Sequence, residues 1–383
     1  MFVPLRDVIV VGAGPSGSYS SFLLSRRGFD VANLEEHMEV GRPVECTGLV
    51  SRRVMNMAKT KSAVNTVHGA QVFFPDGESV HVRKNEETIV MDRDQFDKDV
   101  SAMAISAGTD LRINSRVISV KIHPDHVQVR YRQDGNLREE KARAIIGADG
   151  INSRVRKDVF GSVPRRIVSC YQVDSAVRLE DQDSVQVFVG SKVSRGFFAW
   201  ATPSGDMTKI GLGNVGGGAK SYFDGFNRRF PANRILGING GAIPIAYLRK
   251  TYSDRTLLVG DAAGIVKPLS GGGIYTGMVS GSHAAATLER ALESDDLSWK
   301  SLSAYQKGWR SDLGRELWID GLVQRFFAML GDRSFNSMYR FISRPEIIGL
   351  INRTGDIDFP SRVVLSLMAR NPWMFLSAFR HGR

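Results

Sequence analysis

The residues best suited to chemistry lie near the start of the chain. Gly12-Ala13-Gly14-Pro15-Ser16-Gly17 follows an apolar run over 7–11 and precedes a segment, 19–27, that reads as a helix closed by Gly28. In that setting the first glycine permits a tight turn. The second lets bare backbone approach a pyrophosphate, and the third lets the helix pack closely on the strand. The free N–H groups and dipole at the helix start favour phosphate there, and Ser16 lies in the same turn. Glu35 follows a second apolar run, 31–34, and lies 21 residues after Gly14, where an acidic side chain can accept hydrogen bonds from ribose hydroxyls. This is a βαβ unit for a dinucleotide. A thiol, Cys46, comes next in Arg42-Pro43-Val44-Glu45-Cys46-Thr47-Gly48-Leu49. Far downstream, Phe198 and Trp200 are spaced to share one strand face, with Pro203 after them and Gly211 and Gly213 beyond.

The elements that must position these residues follow from local patterning. Residues 71–74 and 79–82 alternate around Pro75-Asp76-Gly77-Glu78, which predicts a hairpin. Asp92 and Gln95 resemble a capping box before a helix over 92–107 with Phe96, Val100 and Ala104 on one face. Strands are expected over 117–122, 127–131, 144–146 and 256–259, and short strands with turn signals from about 165 to 250. Beyond Leu302 the chain reads as helical, punctuated by Pro345, Pro360 and Pro372.

Two further segments separate FAD from NAD. Ile145-Ile146-Gly147-Ala148-Asp149-Gly150, followed by Ser153-Arg154-Val155-Arg156, resembles the GADG segment of p-hydroxybenzoate hydroxylase-like flavoproteins. Thr256-Leu257-Leu258-Val259-Gly260-Asp261-Ala262-Ala263-Gly264 resembles their GD segment. The resemblance implies FAD as cofactor, with Asp149 and Gly150 at the site and Asp261 on the ribityl chain. Gly272, Gly273 and Ile274 would pass along the flavin ring, with the following helix start at its pyrimidine edge. Arg93 fits the arginine that precedes the FAD-packing helix, and Val117 the strand position whose backbone meets adenine. The fold expected is α/β: a Rossmann-like FAD-binding domain of p-hydroxybenzoate hydroxylase type (1–67 with 91–160 and 250–300), an antiparallel-sheet substrate domain (68–90 with 161–249) and a helical C-terminal region (301–383).

The segment around Cys46, Thr47 and Gly48, together with Phe198-Ala199-Trp200-Ala201-Thr202-Pro203 and Gly211-Leu212-Gly213, resembles the geranylgeranyl reductase family. Its hallmark is Y-x-W-x-F-P followed by GxG; here Phe198 replaces the Tyr and Thr202 the Phe. The late Gly355-Asp356-Ile357-Asp358-Phe359-Pro360 is similar to that family's C-terminal region, so the resemblance covers essentially the whole chain. It implies reduction of isolated prenyl C=C bonds, in the geranylgeranyl chains of archaeal ether lipids. Hydride would come from reduced FAD and a proton would be delivered alongside, in a tunnel that excludes water. Cys46 is the candidate acid, and Phe198, Trp200, Pro203, Gly211 and Gly213 are candidates to line the chain. Tyr252 and Tyr275 are secondary candidates for polar contacts near the ring. An aromatic monooxygenase and a flavoprotein electron carrier to a membrane acceptor are the alternatives. The W-x-W-x-I-P of flavin-dependent halogenases is not matched.

Composition bounds the partners. Hydrophobic residues form 42% and charged residues 24% of 383, an ordinary globular balance that can bury a large core. The net charge of +11 favours anionic partners, but no run of five like charges occurs. A dispersed excess fits a lipid-facing surface better than a nucleic-acid groove. Two cysteines make neither a disulfide framework nor a metal cluster. The nucleotide motif begins by Gly12 with no leader pattern before it, and no apolar run reaches membrane-spanning length. The expected location is therefore the cytoplasm, with peripheral membrane contact and the tail from 363 to 383 as one docking element. The electron donor stays open among ferredoxin, a deazaflavin and NAD(P)H, since no second GxGxxG is evident.

Overall fold

A computed structural model of the chain describes residues 5–231 and 234–370. Its first sheet has a parallel centre in the order Thr256–Leu258, Asn136–Gly147, Leu5–Val11, Val31–Leu34, Asp110–Arg112. Val8, Ile9, Val10, Val31 and Ala32 are wholly buried, as strands covered on both faces require. Tyr252–Ser253 adds an antiparallel edge, and Ser115–Ile122 and Val127–Gln133 form an antiparallel ribbon with the start of Asn136–Gly147.

The helix expected over 19–27 runs from Pro15 to Ser25. It starts four residues early because proline suits the first helical turn, where its missing N–H has no partner to lose. That helix packs against Ile274–Glu293 at very short range: a Cβ added at Gly277 would lie 2.2 Å from Ser16 Oγ, and one at Gly281 2.6 Å from Ser20 Oγ. Arg93–Ser106 begins at Asp92, whose carboxylate accepts from the Asp94 and Gln95 amides. Gln95 does not complete a capping box, since its amide reaches Asp99 instead.

The second sheet has eight strands in the order Ile235–Pro244, Ile167–Ser175, Met207–Val215, Ala199–Ser204, Ser184–Phe188, Ala63–Phe73, Ser79–Met91, Leu49–Ser51. Every pairing is antiparallel except Ser184–Phe188 with Ala63–Phe73. The hairpin is present and longer than its alternating core. The domain limits expected at 67/68 and 300/301 fall inside Ala63–Phe73 and inside the helix Trp299–Trp309. From Trp299 onward the chain is helical, through Arg315–Phe327, Asp332–Ile342, Pro345–Thr354 and Ser361–Arg370. The part of the proposed docking tail beyond residue 370 lies outside the described residues. Among those described, no helix is long and apolar enough to cross a membrane.

Candidate functional site

The strand ends of the first sheet converge on the glycine turn. Gly12, with φ near +97°, donates to Leu34 O at 2.8 Å, and Ala148 N donates to Val11 O at 2.8 Å. A Cβ on Gly12 would sit 2.5 Å from Ala148 O, and one on Gly17 2.0 Å from Gly12 O. Those two glycines pack protein on protein. Gly14 differs, because a Cβ there would meet no protein atom within 4 Å at the start of the helix. The open space lies where free N–H groups invite a phosphate. Ser16 turns its hydroxyl toward Gly260 and Gly277, not toward that space.

Glu35 is buried and holds the turn: one carboxylate oxygen accepts from Ala13 N at 2.7 Å, the other from His37 N at 2.9 Å. Its carbonyl accepts from Ser115 N, two residues before the buried Val117. Asp149 accepts from Ser153 Oγ at 2.6 Å and from the amides of Arg154 and Val155 at 2.6 and 3.1 Å, so it braces the start of the helix Arg154–Phe160, whose cap is Ser153. Beside it Gly150 turns with φ near +67°. Arg156, buried within that helix, donates to Ala262 O at 3.0 Å and so ties the 145–150 segment to the 256–264 segment.

Asp261 contrasts with Asp149. Its carboxylate accepts no hydrogen bond among the described residues. Burial pushes its carboxyl up to about 6 against the pull of Arg93 and Arg156, although the residue is only partly covered. A Cβ on Gly273 would lie 3.0 Å from Asp261 Oδ1. Gly273 heads the twenty-residue helix Ile274–Glu293 with no side-chain cap, leaving its first N–H groups free. Gly272 rests on Lys267, whose ammonium donates to Ile357 O at 2.6 Å. A cradle with open space at Gly14, a carboxylate lacking a donor at Asp261 and an uncapped helix start at Gly273 fits an extended FAD.

Arg93 is a largely covered ion-pair partner and not a free surface residue. It forms a bidentate pair with Asp97 at 3.1 and 2.7 Å and faces the Cys46 sulfur; burial opposes its charge, but these two groups outweigh it and hold its pKa above the ordinary value. Cys46 Sγ also accepts from Gly48 N at 3.3 Å. Gly48 cannot carry a side chain, since its Cβ would lie 2.4 Å from Met91 O.

Above this thiol lies the second sheet. Gln172 Oε1 accepts from Thr47 Oγ1 at 2.8 Å and from Trp200 Nε1 at 3.0 Å, joining segments that lie far apart in sequence. Lys209 donates to Thr47 O at 3.1 Å. Trp200 lies over its cross-strand partner Gly211, whose Cβ would be 2.7 Å from the indole; Phe197 occupies the corresponding space at Gly213. Phe198 stacks on Phe197 at 4.3 Å and meets Trp200 edge-on at 5.9 Å. Phe197 also reaches Gly271, so the aromatic wall ends at the glycine run. Pro203 lies farther along its strand and alternates to the other face. Tyr275 lies at this helix start against Phe359, whereas Tyr252 packs under Lys250 in the edge strand, away from the cluster.

Sequence reasoning missed Gln172, Lys209, Lys267 and Phe197 as site residues. The first three sit in no motif, and Phe197 precedes one that starts at Phe198. Cavities of about 500 Å³ beside Arg52 and Met55 and about 1080 Å³ beside Arg83 and Arg353 lie apart from this cluster.

Residues 6–210 match the FAD binding domain family. A digeranylgeranylglycerophospholipid reductase of Methanococcoides burtonii is 31% identical over 352 residues, 87% of this chain and 86% of that protein. One from Methanothrix thermoacetophila is 29% identical over 386 residues, covering 96% and 97%. Among solved structures, a geranylgeranyl bacteriochlorophyll reductase-like protein of Thermoplasma acidophilum superposes with a TM-score of 0.88 at 25% identity, over 97% of this chain and 98% of its own.

Proposed function

The chain belongs to the FAD binding domain family and, within it, to the geranylgeranyl reductases, and from that premise we propose that it saturates isolated prenyl C=C bonds in the geranylgeranyl chains of archaeal ether lipids. It is an FAD-dependent oxidoreductase. The observation that carries the substrate assignment is the meeting of Thr47 and Trp200 on Gln172, because it joins the Cys46 segment to the aromatic wall.

In this reading Gly12, Gly14 and Gly17 shape the pyrophosphate turn and Glu35 takes the ribose, with the backbone of Val117 nearby for adenine. Asp261 would receive the ribityl hydroxyls, the Asp149–Gly150 turn would brace the middle, and Gly272, Gly273 and Ile274 would lie at the ring. Bound there and reduced by an external carrier, FAD would supply the hydride. The protein's own task is then to present one apolar alkene at a time and to provide a proton. Phe198 and Trp200 hold the chain and exclude water, while Gly211 and Gly213 lie beneath the rings and let the wall seat closely on the sheet. Cys46 is the proton donor to the second carbon, and Arg93 beside it keeps the sulfur oriented.

The test uses purified yellow protein, reduced with dithionite without oxygen and mixed with a geranylgeranyl phospholipid. Mass should rise in steps of one H2, and Cys46→Ala should keep the flavin spectrum while turnover falls on the order of 10²-fold or more. Unchanged turnover in the alanine variant removes Cys46 as the acid. Oxygen consumption with hydroxylation, and no gain of hydrogen by the lipid, overturns the reductase assignment.

A further inference from the structure

The helix Arg315–Phe327 carries its polar groups on the wrong side for an ordinary surface helix. Glu316, Asp320 and Gln324 face inward and are buried, while Trp318 and Leu322 face outward at 57% and 41% exposure. Met329, just past the helix end, is 61% exposed. Exposed apolar residues on a protein surface are usually scattered singly. Here Arg315, Trp318, Leu322 and Arg325 fall at helical spacing on one line, and the exposed Met329 and Arg333 follow it past the helix end. No carboxylate interrupts the line, and none of its three arginines forms an ion pair among the described residues.

We propose that this stripe is the face by which the protein docks on an anionic phospholipid surface. Three observations favour a lipid surface over a protein partner. The stripe runs along the outer side of a helix, so a deformable interface can wet it where a folded partner would need a matching trough. Its order of aromatic, aliphatic and guanidinium groups suits the boundary between acyl chains and headgroups, where Trp anchors and Arg reaches phosphate while its stem stays in the apolar layer. Unpaired arginines on a chain of net charge +11 complement anionic headgroups.

The position also gives the stripe a purpose. The inner side of the same helix touches the site: Gln324 donates to Gly196 O at 2.9 Å, next to Phe197 and Phe198, and Gly321 lies over Pro268, ahead of the Gly271–Gly273 run. Docking would therefore set the aromatic wall about one helix diameter, roughly 10 Å, from the bilayer. A prenyl chain could then pass to the wall without crossing bulk water. The choice of lipid as occupant rests on the lipid-substrate assignment above; the stripe itself does not.

Sedimentation of the FAD-loaded protein with vesicles of phosphatidylglycerol and phosphatidylcholine, or of phosphatidylcholine alone, tests the idea without turnover. The parent should bind the anionic vesicles, and a Trp318→Ser/Leu322→Ser double variant should bind them roughly tenfold more weakly. Arg315→Glu/Arg325→Glu should lose the preference for phosphatidylglycerol. With geranylgeranyl lipid in detergent micelles both variants should match the parent, and with the same lipid in vesicles both should fall behind. Parent-like vesicle binding by the double variant overturns the proposal. So does a variant that changes only the sedimenting mass of the free protein, which would mean that the stripe covers a second copy. Absence of turnover by the parent on micellar lipid would instead count against the reductase assignment, with the vesicle binding still read independently.

Discussion

Asp320 shows how a single side chain can record the energetics of its surroundings. It is wholly buried, and neither carboxylate oxygen meets a donor among the described residues. Its neighbour one turn back, Glu316, is itself an acceptor, filled by Ser361 N at 2.7 Å and the Ser361 hydroxyl. The two carboxyls can share a hydrogen bond only while Asp320 keeps its proton. Burial, with Glu316 adding to it and Lys267 opposing, pushes Asp320 up to about 8. The unfolded chain ionises this group near the ordinary value of about 3.9. Its contribution to stability is thus complete below about pH 4 and is lost as pH rises through about 8. Asp320→Asn keeps a donor toward Glu316 and cannot ionise. The variant should match the parent in melting temperature at pH 4 and exceed it at pH 8–9, by a free energy on the order of a few kcal/mol. Equal melting curves at pH 9 would place the ionised carboxylate in a hydrated setting.

At the scale of elements, the turn between Leu5–Val11 and Pro15–Ser25 uses its glycines in two different ways. Gly17 permits contact between helix and strand, where a methyl group would strike Gly12 O at 2.0 Å. Gly14 faces open space. Gly17→Ala should therefore destabilise the fold itself by about 1–3 kcal/mol, the usual cost of overpacking. Gly14→Ala should leave the melting temperature of the flavin-free protein unchanged and weaken flavin retention. Thermal melts and the flavin absorbance of the two purified variants distinguish the cases. If Gly14→Ala lowers the flavin-free melt as much as Gly17→Ala does, both glycines serve packing alone. The same element logic explains the aromatic wall, because Gly211 and Gly213 clear the floor on which Trp200 and Phe197 lie.

Across the whole molecule, the three glycine-bearing segments are held by long-range contacts that the flavin would span. Ser16 packs on Gly260 and Gly277, Arg156 reaches Ala262, and Arg53, in the helix Arg52–Ala58, clamps Asp356 at 3.0 Å and Asp358 at 3.1 Å, tying the C-terminal region to that helix. A ligand that bridges such segments stabilises the native state by mass action, about 2.7 kcal/mol at a hundredfold excess over Kd. Protein stripped of flavin should melt lower than the holoprotein by about 3 °C at that excess, and added FAD should restore the difference in a concentration-dependent way. A melt indifferent to FAD would contradict the convergence of these segments on one cofactor.

The local code was enough for the cofactor and for most elements. Gly12–Gly17, Glu35, the Asp149 turn and the Asp261 turn announce themselves because each glycine or carboxylate is demanded by backbone geometry within a few residues. The hairpin and the helix capped at Asp92 were legible for the same reason. The short strands Leu49–Ser51 and Asp110–Arg112, and the helices Arg52–Ala58 and Ala219–Phe226, were not, since their patterns are too brief to stand out without their neighbours. Only the tertiary structure decided that Arg93 faces Cys46, that Gln172 joins Thr47 to Trp200, and that a helix with buried carboxyls turns its tryptophan outward. Those facts depend on which distant strands and helices become neighbours. Nothing in a residue's own stretch of chain encodes the partner it will meet more than a hundred positions away.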